Sequence, residues 1–327
     1  MKKILLLTAT FFIAQFTFAQ KVDYSVVSVP EESGIDFVKI TQDGDYVCMP
    51  TIKRSSKGAS WNTSHILDIS KDGKNIAYLS ARNKATNIFI KALDKQGSSI
   101  QRTTRTAVID FSYSPDGKYI CFSEKRGKDT QIFQTSADKG YVCRQFTNGN
   151  SDFSPVYTKD MKEILFTRQE NKSYSIWSYN IASNFLSSYT NGLTPYPTRE
   201  SNTYICSRIN SEGRGEIWKI NYETGIEECI ISSNEHSFAS PRISPCGKWI
   251  LFVGTSRIAR DEKSVYWNTD IYVAHTDGTN LSQLTFHAAD EVSPVWSKDG
   301  QYIYFVSQRG SSTGNANIWR MTFNIFK

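Results

Sequence analysis

Two landmarks recur through the chain at a nearly fixed interval. An isoleucine opening an apolar run stands at Ile76, Ile120, Ile164, Ile205, Ile250 and Ile303, spaced by 44, 44, 41, 45 and 53 residues. Behind each comes a second isoleucine joined to an aromatic: Ile88-Phe89, Ile132-Phe133, Ile176-Trp177, Ile217-Trp218, Ile271-Tyr272 and Ile318-Trp319. In the first four units the two isoleucines are 12 residues apart. Two landmarks in one register, six times over, are hard to obtain by chance. A period near 44 residues built from short β segments is the signature of a propeller blade.

Within a unit the pattern is strand, tight turn, strand, loop, strand. The turn before the first isoleucine is Asp72-Gly73, Asp116-Gly117 or Asp299-Gly300, with worn forms at Asp160-Met161, Ser201-Asn202 and Cys246-Gly247. Such a turn needs positive φ, which glycine accepts cheaply, so these aspartates are read as structural rather than catalytic. Fourth strands are readable after five units, from Gln101, Tyr141, Phe185, Glu227 and Leu281, whereas the sixth unit runs out at Phe323–Lys327. An open edge there invites aggregation, so its partner is expected from the N-terminus, where Phe37-Val-Lys-Ile and Tyr46-Val-Cys-Met are β-rich. The expected fold is all-β, a six-bladed β-propeller closed by shared N- and C-terminal strands, with a degenerate seventh blade in residues 20–62 as the alternative.

Residues 1–19 read as a secretory signal peptide: two lysines, a short apolar run and Thr17-Phe-Ala19 at the cleavage point. Residues 20–62 form an extension that carries the closing strand, and residues 63–327 form the propeller. No later stretch reaches membrane-spanning length, so a periplasmic or secreted protein without a transmembrane segment after cleavage is expected. Loss of Lys2 and Lys3 lowers the net charge from +6 to +4, too mild to suggest a nucleic-acid partner. Cys48, Cys121 and Cys206 fall at comparable places in different units, too far apart around a ring for disulfides. No C-x-x-C pair supports a zinc or redox site.

The consensus S-P-x-x-S-x-D-G-K-x-I-x-F-x-S-x-R followed by Ile–aromatic is clearest in residues 111–133 and 293–319. It resembles the WD-like repeat of TolB-like β-propellers, over residues 63–323. The resemblance implies the propeller fold, and it implies function weakly, since one fold serves many roles. TolB carries an α/β domain ahead of its propeller, for which residues 20–62 are too short. Prolyl oligopeptidase-type enzymes pair related propellers with a hydrolase domain for which no chain remains here.

Three features are candidates for function. The loops between second and third strands are basic in every unit, including Arg82, Arg126, Arg168, Arg208, Arg257 and Arg309. A cationic ring around a concave opening favours an anionic ligand, a protein or acidic glycan. The alternative is that S-x-R arginines cap local carbonyls. Second, the longest insertion, residues 256–270, offers Arg260, Lys263 and Trp267 beside Arg257 for stacking and hydrogen bonding to a sugar or peptide. Third, His65, His236 and His287 fall near connections between units. They would hold one divalent metal ion if the protein resembled oligogalacturonate lyase, a propeller that acidifies the proton beside a uronate. With no catalytic constellation elsewhere, the sequence favours a non-enzymatic binding scaffold without a cofactor, with the metal-dependent lyase on acidic glycans as alternative.

Overall fold

Each Asp-Gly turn is closed by one set of hydrogen bonds. Ser70 Oγ donates to Asp72 at 2.6 Å, Asp72 accepts the Lys74 amide at 3.0 Å, and the Asn75 amide donates to Ser70 Oγ at 3.0 Å. Ser114–Asp116, Thr158–Asp160 and Ser297–Asp299 repeat the arrangement. Gly73 and Gly117 adopt φ of 72° and 77°, and Met161 and Asn202 hold the same left-handed region at 60° and 56°. The turn carboxylates are therefore engaged locally, a side chain mimicking a backbone turn.

The computed structural model describes residues 24–50, 53–54, 60–61, 65–94, 97–140, 143–171, 173–259 and 265–323. The leader reading for residues 1–19 lies outside them. The described chain is all-β, with helix confined to three single 3-10 turns. Its strands form six antiparallel sets of four, here sheets one to six. Sheet one is Leu67–Ile69, Asn75–Ser80, Asn87–Ala92 and Ile100–Gln101; sheet two is Val108–Tyr113, Tyr119–Arg126, Asp129–Ser136 and Cys143–Gln145. Sheet three is Ser151–Tyr157, Glu163–Glu170, Ser173–Asn180 and Leu186–Asn191; sheet four is Leu193–Pro197, Thr203–Ile209, Gly215–Asn221 and Ile226–Ile231. Sheet five is His236–Ile243, Trp249–Ala259, Val265–His275 and Ser282–Gln283. Sheet six is Glu291–Trp296, Tyr302–Ser307 and Asn317–Thr322, joined by Phe37–Lys39 from the N-terminal segment. A single parallel bridge, Thr130 to Ser151, links sheets two and three. The short hairpin Lys53–Arg54 with Ser60–Trp61 stands apart from the six sets.

Phe37, Val38 and Lys39 pair with Met321, Arg320 and Trp319. The pairing is prolonged by the Ile40 amide on the Ile318 carbonyl at 2.8 Å and by Thr41 Oγ1, which accepts the Ile318 amide at 2.8 Å. The chain then crosses to sheet one, where the Cys48 amide donates to the Leu79 carbonyl at 3.0 Å. First strands of successive sheets pack in chain order, and Glu291–Trp296 packs against Leu67–Ile69.

Apolar residues fill the spaces between neighbouring sheets. Leu165, Ile176, Tyr204 and Cys206 share one cluster between sheets three and four; Leu251, Ile271, Ile303 and Phe305 share another between five and six. Sheet four departs from the letter pattern by one place. Ile88, Ile132 and Ile176 face Leu79, Ser123 and Thr167, three residues beyond the anchors, whereas Ile217 faces Ser207. The anchor place in sheet four therefore belongs to Tyr204, not Ile205, and the loop to Ile217 holds one extra residue. Because strand side chains alternate, that single residue moves Ile205 to the opposite face. There it joins the cluster shared with sheet five.

No two cysteines are bonded among the described residues; Cys121 and Cys206 are buried, and burial pushes each thiol up to about 12. Cys48 and Cys143 are partly buried, and Cys229 and Cys246 are exposed.

The turns also interlock. A Cβ on Gly117 would lie 2.8 Å from Lys71 Cβ, so the lysine stem of sheet one rests on the turn of sheet two. Gly117→Ala must clear that stem and hold alanine at φ 77°. It should cost more than about 1 kcal/mol, read as a lower urea midpoint with unchanged m.

Candidate functional site

The first strands line a cavity of about 260 Å³ to which all six sheets contribute. Its shape follows from a bulge. In four first strands a residue before proline has positive φ: Ser154 at 53°, Thr194 at 51°, Ser240 at 59° and Ser293 at 52°. Proline cannot donate to the ladder, and the register slips there in each strand. The freed amides find partners on the preceding sheet: Ser154 on Asp110 at 2.9 Å, Thr194 on Thr167 at 2.9 Å and Ser240 on Ser207 at 3.0 Å. Thr167 and Ser207 directly precede Arg168 and Arg208, so hydroxyls of the second strands tie one sheet to the next.

Just past the bulge, one position recurs in all six strands, paired with the residue after the anchor. It is held by Asp68, Ser112, Val156, Tyr196, Arg242 and Val295. All six line the cavity. Arg242 is only 4% exposed. Its guanidinium lies 5.0 Å from the Tyr196 ring centroid, and its Nε and Nη2 have no hydrogen-bond acceptor. Asp68, the one acid among the lining residues, already accepts the Ile69 amide at 2.8 Å and the Tyr113 amide at 2.9 Å. Around the opening stand Lys71, Lys159, Arg199 and Lys298, all exposed. Each follows the Ser or Thr of a turn. Lys298 Cβ sits 3.5 Å from the position of a Cβ on Gly73, and Arg199 lies against Gly247 and donates to the Pro245 carbonyl. The stems of Lys71, Arg199 and Lys298 are thus braced on the next sheet, and the exposed lysine heads reach water, as long cationic side chains do.

The opposite rim, between second and third strands, is less open than its letters suggest. Arg309 is fully buried, so it is not a solvent-facing cation. It pairs with Glu32 at 2.8 Å and with Glu291, donates to the Val27 carbonyl at 2.9 Å and lies 4.1 Å from the Phe37 ring centroid. Arg168 forks onto Asp152 at 2.7 and 3.0 Å and stacks on Trp177. Arg82 binds Asp45 at 2.5 Å, and Arg208 binds Glu227 at 2.8 Å and stacks on Trp218. Arg126 is half-exposed but pairs with Glu124 at 3.0 Å over Phe133. Arginine and the aromatic of the Ile–aromatic pair thus form a repeated stack inside the sheet, a cation–π contact of structural purpose. Arg257 is exposed, opposite half-buried Trp267 in the longest hairpin. Arg260 and Lys263 lie outside the described residues.

The three histidines are engaged separately. His65 is buried beside Arg242, and burial followed by that positive charge holds its pKa well below the usual imidazole range; its Nε2 has no partner. His236 Nδ1 is 2.8 Å from Ser256 Oγ. His287 Nδ1 accepts the Ala289 amide at 2.9 Å, which leaves Nε2 to donate to the Val26 carbonyl at 3.1 Å. Among the described residues no three His, Cys, Asp or Glu side chains are grouped to hold a metal ion. The letters of a nucleophile elbow, G-x-S-x-G, occur at Gly310–Gly314. They form a loop between two strands of sheet six, whereas an elbow needs a strand-to-helix turn.

The model of the TolB beta propeller domain matches residues 27–206. The chain belongs to the TolB beta-propeller family. Among solved structures, this TolB-like chain is similar to a TolB-type protein from Agrobacterium tumefaciens, with 18% identity, 80% of this chain and 90% of that one covered, and a TM-score of 0.60. TolB from Acinetobacter baumannii gives 18% identity and a TM-score of 0.59, with 77% of this chain covered. Only 64% of that protein is spanned. Oligogalacturonate lyase from Vibrio parahaemolyticus gives 10% identity, 92% and 97% coverage and a TM-score of 0.59. At these identities the likeness concerns the fold. No helix among the described residues is long and apolar enough to cross a membrane.

Proposed function

We propose that the six sheets are the blades of one ring, and that this TolB-like propeller is an exported, non-enzymatic binding protein. It takes an anionic protein or glycan partner at the channel mouth formed by the Asp-Gly turns. The observation that carries this reading is the convergence of six first strands on one cavity, rimmed by Lys71, Lys159, Arg199 and Lys298. Four cations around a concave opening focus the field and concentrate anions. Closure of the ring is supported by the packing of Glu291–Trp296 on Leu67–Ile69 and by Lys298 against Gly73. Export rests on the leader-like residues 1–19 and on the family's periplasmic members. The opposite rim remains a second contact surface through Arg126, Arg257 and Trp267.

Polygalacturonate tests this reading and its enzymatic alternative in one experiment. The mature protein should bind the polymer, and more weakly as salt rises. The double variant Lys71→Glu, Lys298→Glu should lose about tenfold or more in affinity, because each reversal replaces attraction by repulsion. Binding indifferent to both changes would overturn the mouth as the site. Release of unsaturated uronate products, dependent on added divalent metal and on His65, His236 or His287, would instead favour the lyase.

A further inference from the structure

Arg242 occupies a position where the other five first strands place Asp68, Ser112, Val156, Tyr196 and Val295. A guanidinium carries five donors in a planar fork and cannot be deprotonated in a protein. Burying one without an acceptor is costly, so buried cations are paired as a rule. The other buried arginines obey that rule: Arg168 forks onto Asp152 and Arg309 onto Glu32 and Glu291. Arg242 does not, although it is 4% exposed. Asp68, at the same level of the channel, is held by the Ile69 and Tyr113 amides. His65, beside Arg242, is kept neutral and leaves Nε2 without a partner. The cavity wall thus presents an uncompensated cation beneath a mouth of four further cations, with the His65 imidazole behind it and outside the lining.

We infer that Arg242 docks the oxyanion end of a small, multiply charged ligand, a polycarboxylate or a phosphate ester, inserted through the turn-face mouth. The fork geometry suits a carboxylate or phosphate bound through two oxygens. The cavity, about 260 Å³, is below the roughly 300–1,000 Å³ of drug-sized pockets, so it suits a compact ligand or the tip of a larger one. A second anionic group on that ligand reaches Lys71, Lys159, Arg199 or Lys298. The inference rests on the channel-binding reading and adds a ligand class and a specificity residue to it.

Citrate and pyrophosphate are the probes. Each is titrated calorimetrically into the mature chain at ionic strength matched with sodium chloride. One-to-one saturable binding of either is expected; citrate alone identifies polycarboxylates, and pyrophosphate alone identifies phosphate esters. Arg242→Gln should weaken binding by about 10- to 100-fold, the value of hydrogen bonds to a charged partner. Arg242→Lys keeps the charge without the fork and should fall between. The inference is overturned if neither probe binds saturably, or if Arg242→Gln binds as tightly as the parent. Should that variant fail to fold, thermal melts of the unaltered protein decide: each binding probe raises Tm beyond the sodium chloride control, and no rise with either probe overturns the inference. Polygalacturonate binding that persists while both small probes fail removes this inference alone and leaves the mouth as a binding surface. Loss of both removes the channel reading itself.

Discussion

At pH 8, where the Glu291 carboxyl is ionised, Arg309→Met should lower the free energy of unfolding by about 3–5 kcal/mol, the range for breaking a buried ion pair by deleting one partner. The substitution leaves Glu32 and Glu291 facing each other with no cation, both in fully buried side chains. It also strips the Val27 carbonyl of a donor and Phe37 of its stacked guanidinium. The effect reaches the N-terminal segment, because the Gly310 and Ser311 amides donate to the Val26 and Tyr24 carbonyls at 2.8 and 2.9 Å. Urea unfolding reads the result as a lower midpoint, with early proteolysis near residues 24–36. A loss under about 1 kcal/mol would mean that the two carboxylates find water or protons without cost, and that the latch is not held by charge.

Stability should also fall as pH rises from about 5 to about 8. Burial pushes the Glu291 carboxyl up to about 7 and that of Asp110 up to about 6. Burial and the neighbouring Glu291 hold Asp270 well above the usual carboxylate range. A carboxyl whose folded pKa is raised binds its proton more tightly in the native state. Its stabilising share is complete below the unfolded value near 4 and disappears as pH climbs through the folded value. At about 1.4 kcal/mol per unit, Asp110 loses about 1–2 kcal/mol between pH 5 and 6, and Glu291 adds a loss of the same sign up to about pH 7. On the acid side the sign reverses. Asn317 donates to Asp43 and, with Thr313 and Lys39, holds its carboxyl at about 2, so its share is lost as pH falls from about 4 towards 2. The optimum should lie near pH 4–5, measured as urea midpoints across pH, and Asp110→Asn should flatten the alkaline limb. A flat profile between pH 5 and 8 would contradict the burial argument.

The fold was legible because the repeat states it six times. The anchors, the Asp-Gly turns and the N-terminal donor Phe37–Lys39 all follow from strand alternation and the demand that edges be paired. The slip in sheet four was not legible: Tyr204 and Ile205 are both apolar, and only pairing reveals which faces inward. The S-x-R arginines misled because a sequence shows charge but not its partner. Glu32 and Glu291 lie 277 and 18 residues from Arg309. The channel residues carried a signal of a different kind. Two places before the turn Ser or Thr, the repeat stops repeating and reads Asp68, Ser112, Val156, Tyr196, Arg242 and Val295. One place after it stand four cations, Lys71, Lys159, Arg199 and Lys298, and two prolines, Pro115 and Pro245. Scaffold positions recur because every sheet needs them, and positions that vary inside a strict repeat are those the scaffold leaves to other uses.

The pairing of Phe37 with Met321 also sets the order in which the molecule can be made. Sheets one to five draw their strands from neighbouring sequence and can assemble as the chain emerges. Sheet six cannot: its outer strand is present almost from the start, and its remaining three arrive last. Contacts of such long sequence separation slow the final step of folding. Until Asn317–Thr322 appears, Phe37–Lys39 is an unpaired strand attached to a growing stack of sheets, open to any other free edge it meets. A chain crossing a membrane N-terminus first would carry that exposed edge ahead of it, and would need to be kept apart from its neighbours until its own last strand came through.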